Sequence, residues 1–381
     1  MTVIDWISLF CNRAGAIGLV RISSYQLFTI TFLYQLGTTI IFGFAAGTGR
    51  DAWIVTILSS IAGMIIISMY LALMNMNPGL TLVEWFPKQF GKWIGIPIAW
   101  LYPLSFLFDA GRGVGALRDL VPTTLLPKTP PVVIVVAFLL VLIYGLYLGI
   151  ENVARLGEIL TPIILTLFGL EIVLLLNSHI IEFKLLLPVL WDGWAPVLKS
   201  VYPEGINQTY GESIALAMIW TLAKPQKKVW RITMTATILA SIFFLLSDVL
   251  AITVFGDAFF KRSIYPLYSL TGMVNIGGFI TNLNPFVVVY FISTTFIKLY
   301  IKLYAALLGF KVLLKLSSIR PLIWPAAACT LLIGFTISTN IINHIYVMAV
   351  RIITPYVWVP LFMVIPAILL LVTWIRRKAG I

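Results

Sequence analysis

Apolar residues in this chain come in long runs separated by short polar breaks, the pattern of helices with apolar surroundings on every side. Ten runs are long enough to cross a bilayer, which takes roughly 20 mostly apolar residues. They cover residues 23–48, 52–74, 94–120, 131–149, 156–177, 205–224, 229–255, 280–308, 321–339 and 353–375. The pattern predicts an all-α polytopic membrane protein with about ten transmembrane helices. It divides the chain into an N-terminal segment 1–22, a first set of five helices 23–177, a connection 178–204, a second set 205–375 and a basic tail 376–381.

Two runs depart from plain helix chemistry. The first, from Ser23 to Thr48, holds no Lys, Arg, Asp or Glu, yet its centre reads Gly37-Thr38-Thr39-Ile40-Ile41-Phe42-Gly43. Glycine disfavours a helix by about 1 kcal/mol relative to alanine, and threonine loses side-chain freedom there. Either the helix opens at this point, which lipid tolerates only where protein or a polar cavity covers the freed backbone, or Gly37 and Gly43 let a neighbouring helix approach. The sixth run starts Asn207-Gln208-Thr209-Tyr210-Gly211-Glu212-Ser213 and turns apolar at Ile214. It opens the second set of five. Two interrupted helices in matching positions of two five-helix halves are the mark of an inverted repeat with a binding site near the midplane.

Composition agrees. Of 381 residues, 60% are hydrophobic and 10% charged, whereas soluble domains carry roughly 25% charged residues. The net charge of +12 suggests nucleic acid until its distribution is read: basic residues sit mostly in short loops, as orientation signals do. With the N-terminus in the cytoplasm, fifteen basic residues fall on inner segments and nine on outer ones, so both termini are expected to be cytoplasmic and no nucleic-acid partner is expected. Residues 1–22 carry Asp5, Arg13 and Arg21 without the pattern of a cleavable signal. Cys11 and Cys329 form neither a disulfide framework nor a metal-site spacing. Three connections are more than turns. Thr81 to Gly95 suits a helix on the inner surface, Glu182 to Pro203 carries outer aromatic anchors, and Gly256 to Phe279 suits a re-entrant or surface cap.

Ionisable groups inside spans are expensive and usually face a cavity or the protein interior. Glu212 stands out because it abuts the interruption in the sixth run. It can take hydrogen bonds from an amine or hydroxyls of a ligand, or serve unwound backbone and a nearby cation. Asp109 and Arg112 are spaced for an i, i+3 ion pair. Glu171, Asp248, Lys298 and Lys302 are scattered; the two lysines either line a water path or snorkel to the inner surface. Gly111-Arg112-Gly113-Val114-Gly115 resembles part of a phosphate-binding loop, but it falls inside an apolar helix and not after a strand, which rejects nucleotide binding. No catalytic constellation has convincing spacing, so neither an enzyme nor a cofactor is expected.

The chain resembles the B subunit of the nutrient-germinant receptors of Bacillus-type endospores, a family itself similar to the amino acid/polyamine/organocation transporters. The matching stretches are Ile22-Ser23-Ser24-Tyr25-Gln26-Leu27-Phe28, Asp51-Ala52-Trp53-Ile54, Leu117-Arg118-Asp119 with Leu126-Pro127-Lys128-Thr129-Pro130, and above all Gly149-Ile150-Glu151-Asn152-Val153-Ala154-Arg155-Leu156-Gly157-Glu158-Ile159-Leu160. The resemblance implies a five-plus-five inverted repeat of the amino acid permease (LeuT-like) type and a small nutrient ligand, an amino acid or a sugar. It also implies an A subunit and a lipoprotein C subunit as partners, in the spore inner membrane. By position it places the ligand against Gly37, Thr38, Thr39 and Gly43 of the first helix and Tyr210, Gly211 and Glu212 of the sixth. Ser105 and Phe106 of the third helix and Phe291 and Thr294 of the eighth lie at a suitable depth. Some proton-coupled transporter relatives place a lysine in the fifth helix; residues 156–177 contain none, which argues against proton-coupled uptake of that kind. An active secondary transporter of amino acids is the alternative reading.

Overall fold

The computed structural model describes residues 21–275 and 282–379. The N-terminal segment up to Val20 and Gly277 and Gly278 of the expected cap lie outside the described residues. The first span is two pieces, α1 (Ser24–Leu36) and the single turn α2 (Thr39–Phe42). α1 starts on a capping box: Gln26 N–H donates to Ser23 Oγ at 3.1 Å and Ser23 N–H to Gln26 Oε1 at 3.0 Å. There follow α3 (Ala52–Met76), α4 (Leu82–Thr124), α5 (Pro131–Leu148), α6 (Ile150–Asn177) and the short α7 (Trp194–Ser200). α7 runs through a π-helical turn (Val201–Gly205) towards a 3-10 stretch, Gly211–Met218. The remainder is α8 (Val229–Arg262), α9 (Pro266–Gly272), α10 (Asn284–Leu313), α11 (Arg320–Thr336), a π-helical stretch Asn343–Val364 and α12 (Ile365–Lys378).

Among the described residues seven helices are long and apolar enough to cross a membrane. The three other spans are the ninth, α11, at 17 residues, and the first and sixth, which fall short because they are broken. The described residues thus form an all-α membrane protein in which each set of five spans opens on an interrupted helix. Several ends differ from the sequence reading. The fifth span starts at Ile150 and not 156. The expected connection before the sixth span itself holds a short helix, Trp194–Ser200, and the chain leaves helical geometry at Tyr202 (φ -122°, ψ 129°) before the span begins. The tenth starts at Asn343 instead of 353. In an apolar solvent a backbone that can pair internally does so despite weak propensity, which carries helix beyond the ends read from the apolar runs. Gly91 (φ 77°) divides α4, leaving residues 82–90 as the separate helix expected of Thr81 to Gly95.

α10 lies at the centre: 72% of its apolar window is buried, against 28% for the window of α6. It packs on α4, which also takes α11. The glycine run in α4 permits this. A Cβ on Gly113 would sit 2.2 Å from Leu299 Cδ2, and one on Gly111 2.6 Å from Ile333 Cβ. The motif that looked like a phosphate loop is a close-packing stripe. At one end of the bundle, the residue before α1 pairs with the exit of the sixth span: Ile22 N–H donates to Leu222 O and Lys224 N–H to Ile22 O, both at 2.9 Å.

Candidate ligand site

The first span breaks because α1 cannot continue through Gly37, whose φ of 36° is a left-handed value that favours glycine. Its N–H still donates to Leu33 O at 3.0 Å, but its carbonyl turns away and accepts from Thr294 Oγ1 of α10 at 2.8 Å. The Gln35 carbonyl accepts from Thr209 Oγ1 at 2.6 Å, and the Gly43 carbonyl from Gln208 Nε2 at 3.3 Å. The sixth span opens at Gln208–Tyr210, and its Glu212 carbonyl accepts from Tyr34 Oη at 2.8 Å. Each break therefore supplies side chains that satisfy the other's freed carbonyls. That answers the requirement that no backbone group stay unpaired at membrane depth.

Glu212 carries the site's charge chemistry. Its Oε1 accepts from Arg112 Nη2 at 3.2 Å, and its Oε2 from both Lys298 Nζ and Lys302 Nζ at 2.9 Å. Lys302 also donates to Asp109 Oδ2, and Arg112 Nε to Asp109 Oδ1 at 2.9 Å. Asp109, Glu212, Lys298 and Lys302 are all buried. The cluster joins three spans, α4 (Asp109, Arg112), the sixth (Glu212) and α10 (Lys298, Lys302). The expectation that the lysines snorkel to the inner surface is overturned. They sit on the most enclosed of the seven long helices and are paired there with buried carboxylates. The Asp109–Arg112 pair forms as its spacing suggests, but as part of a larger network. Lys298 also packs on the break, since a Cβ on Gly37 would lie 2.1 Å from Lys298 Cδ.

Beside this cluster lies a cavity of about 70 Å³ whose lining includes Thr38, Thr39, Arg112, Glu204, Gln208, Glu212, His344 and Trp358. The Trp358 ring stacks under the Arg112 guanidinium, 4.6 Å from its centroid. Of the residues anticipated from sequence, the fold brings Thr38, Thr39 and Glu212 to this lining. Gly43 lines a smaller neighbouring cavity with Ser247 and Asp248. Gly37 and Thr294 hold the break itself. The others stand apart from the lining: Tyr210 Oη bonds Ser60 and Ser241 Oγ, Gly211 offers its carbonyl to Tyr70 Oη, Ser105 Oγ donates to Tyr102 O, and Phe106 and Phe291 are packed in the core. Asp248 accepts from Thr56 Oγ1 at 2.6 Å and Glu171 from Tyr290 Oη at 3.0 Å, each away from the five-residue cluster.

Sequence reading missed Glu204, Gln208, Thr354, Trp358 and His344. Glu204 fell in the assumed connection and His344 before the assumed start of the tenth span, while Trp358 lay inside that span with nothing local to mark the face it turns to the cavity. The signal for the cluster was present: Asp109/Arg112 at i, i+3 and Lys298/Lys302 at i, i+4 put one charged face on each of two spans.

The family described as spore germination protein matches residues 21–342. Spore germination protein KB of Bacillus subtilis is 27% identical over 94% of this chain and 96% of its own length. Spore germination protein YndE of the same organism is 27% identical over 68% of this chain and 70% of its own. Spore germination protein XB of Bacillus anthracis is 25% identical over 66% and 69%. In three dimensions the chain is similar to Mhp1, a nucleobase-cation-symport-1 family transporter in a closed conformation with bromovinylhydantoin bound. The TM-score is 0.63 at 16% identity, covering 85% of this chain and 74% of that one. At that identity the likeness speaks to fold alone.

Proposed function

Since this chain belongs to the spore germination protein family, we propose that it is the membrane subunit of a nutrient germinant receptor that binds a small nutrient, an amino acid or a sugar, in the cavity between its two broken spans. Both termini face the cytoplasm of the spore, the protein resides in the inner membrane, and the nutrient arrives from the outer side. The observation that carries this reading is the coincidence of three features: two interrupted helices, a cavity between them, and a charge cluster beside it that joins spans three, six and eight. A ligand shifts a conformational equilibrium only through differential affinity for its states. A guest touching Thr38, Thr39, Arg112 or Glu212 competes with contacts that hold the broken helices to the scaffold, so it favours one arrangement of them over another. The A subunit and the lipoprotein C subunit read that arrangement and start germination.

Replacing Gly37 by Ala or Glu212 by Gln is expected to raise the nutrient concentration needed for germination at normal protein levels in the spore membrane. Unchanged dose–response curves for both variants would remove the assignment. A second reading, a secondary transporter of amino acids or related solutes, has the fold likeness to a transporter in its favour. Gradient-driven uptake of labelled amino acid by the purified chain in liposomes would establish it.

A further inference from the structure

Where α4 begins and α12 ends, basic side chains gather without carboxylates to match them. Gly91 (φ 77°) turns the chain between the helix of residues 82–90 and the rest of α4. That short helix buries Leu82, Val83, Trp85 and Phe86 and leaves Lys88 exposed, with Lys92 exposed just past the turn. Arg376 of α12 closes the joint: its Nη1 donates to the Lys88 carbonyl at 3.4 Å and to the Gln89 carbonyl. The contact brings the exposed Arg377 and Lys378 to the same end of the bundle as the two lysines. Glu84 is the one acidic residue of 82–95, and 365–379 holds none. Glu84 Oε2 is spent on its capping box, accepting from Thr81 N–H at 2.8 Å and Thr81 Oγ1 at 2.7 Å. Among the described residues no ion pair involves Lys88, Lys92, Arg376, Arg377 or Lys378. Apolar groups stand beside these cations. Trp93 is 94% exposed, and Ile94, Trp374 and Ile375 are exposed as well. Lys378 Nζ lies 4.0 Å from the centroid of the Trp374 ring.

We propose that this patch is a binding site for an anionic phospholipid, whose phosphodiester headgroup is taken by Lys88, Lys92, Arg377 and Lys378 while Trp93 and Ile94 enter the headgroup–acyl boundary. Lysine and arginine at the end of a span are drawn to an anionic bilayer surface, and tryptophan settles at headgroup depth. An acidic protein segment matches the cations alone; the bilayer matches the cations and the apolar rim together. The site spans two elements, so a bound lipid holds the surface helix to α12. It thereby braces α4, which carries Asp109 and Arg112, against the last span.

The test uses the full chain in nanodiscs of phosphatidylcholine with and without phosphatidylglycerol, read by thermal shift and by native mass spectrometry of the lipid retained. Phosphatidylglycerol is expected to raise the melting temperature and to stay bound, and the increment should vanish in about 1 M salt, where charges are screened beyond about 3 Å. A cluster variant, Lys88→Gln, Lys92→Gln, Arg377→Gln and Lys378→Gln, leaves Arg376 and its backbone contacts in place. It should keep its melting temperature in pure phosphatidylcholine and lose the increment, with affinity falling about fivefold for each residue neutralised. A control with equal charge removed, Lys224→Gln, Lys227→Gln, Lys228→Gln and Arg231→Gln, should keep the increment. Equal stability of the unaltered chain in both lipids overturns the proposal. So does a control that loses the increment as fully as the cluster variant, since charge number alone would then explain it. Inorganic phosphate reproducing the increment in pure phosphatidylcholine overturns it in favour of a free anion. Poly-glutamate stabilising the chain there more than phosphatidylglycerol does overturns it in favour of an acidic protein partner.

Discussion

Glu212 shows how one residue ties the site together. Three cations share its two oxygens inside the membrane, and removing one partner from a buried ion pair is costly because the survivors stay charged and desolvated, about 3–5 kcal/mol. Glu212→Gln leaves Arg112, Lys298 and Lys302 facing Asp109 alone, so a marked drop in melting temperature in detergent is expected. Adding Lys302→Met to it should restore part of the loss, because the second change removes a stranded cation; a double variant no more stable than the single would contradict that coupling. The sequence made Glu212 visible as a carboxylate beside an interruption. It also showed two lysines one helical turn apart, but not where they lead. Snorkelling and pairing suit the same spacing, and the enclosure of α10 decides between them.

At the scale of the element, the two breaks work as reciprocal halves. The first span loses its helix at Gly37 and the sixth at Gln208–Tyr210, and the side chains that donate to the freed carbonyls come from the opposite interrupted span or from α10. Thr294→Val removes the donor to the Gly37 carbonyl. An unpaired buried acceptor costs about 1–3 kcal/mol, so this variant should lose stability, and its amide exchange at residues 37–43 should quicken with little change along α4. Uniform quickening over the bundle would instead mark a global effect. The glycine-threonine centre of the first span and the polar start of the sixth already gave the position of both breaks. The short helix Trp194–Ser200 lay in the stretch that read as a connection, and that stretch does break before the span, since Tyr202 beside Pro203 leaves helical geometry.

For the whole molecule, α4 and α10 form the frame against which the broken spans are held, and the cluster is where frame and broken span meet. A ligand that bridges the cavity should therefore slow amide exchange at both breaks together, residues 37–43 and 208–212, and leave the lipid-facing α5 and α6 unchanged. Protection of one break alone would place the guest outside the shared cavity. Rising thermal stability with ligand concentration follows from the same binding equilibrium.

The amino-acid sequence by itself determined the class of solvent, the run of spans and the two places where helix chemistry fails, because hydrophobic length and local propensity are properties of a segment. It also carried the family likeness, down to the motif whose Glu151 carboxylate accepts from Arg21 N–H at 2.8 Å. Only the tertiary structure decided that Lys298 and Lys302 meet Glu212 and Asp109, and that His344 and Glu204 face one cavity. Asp109 and Lys302, which pair, lie 193 positions apart along the chain, and the distance between charges on different helices is set by how the helices pack, which no segment encodes alone.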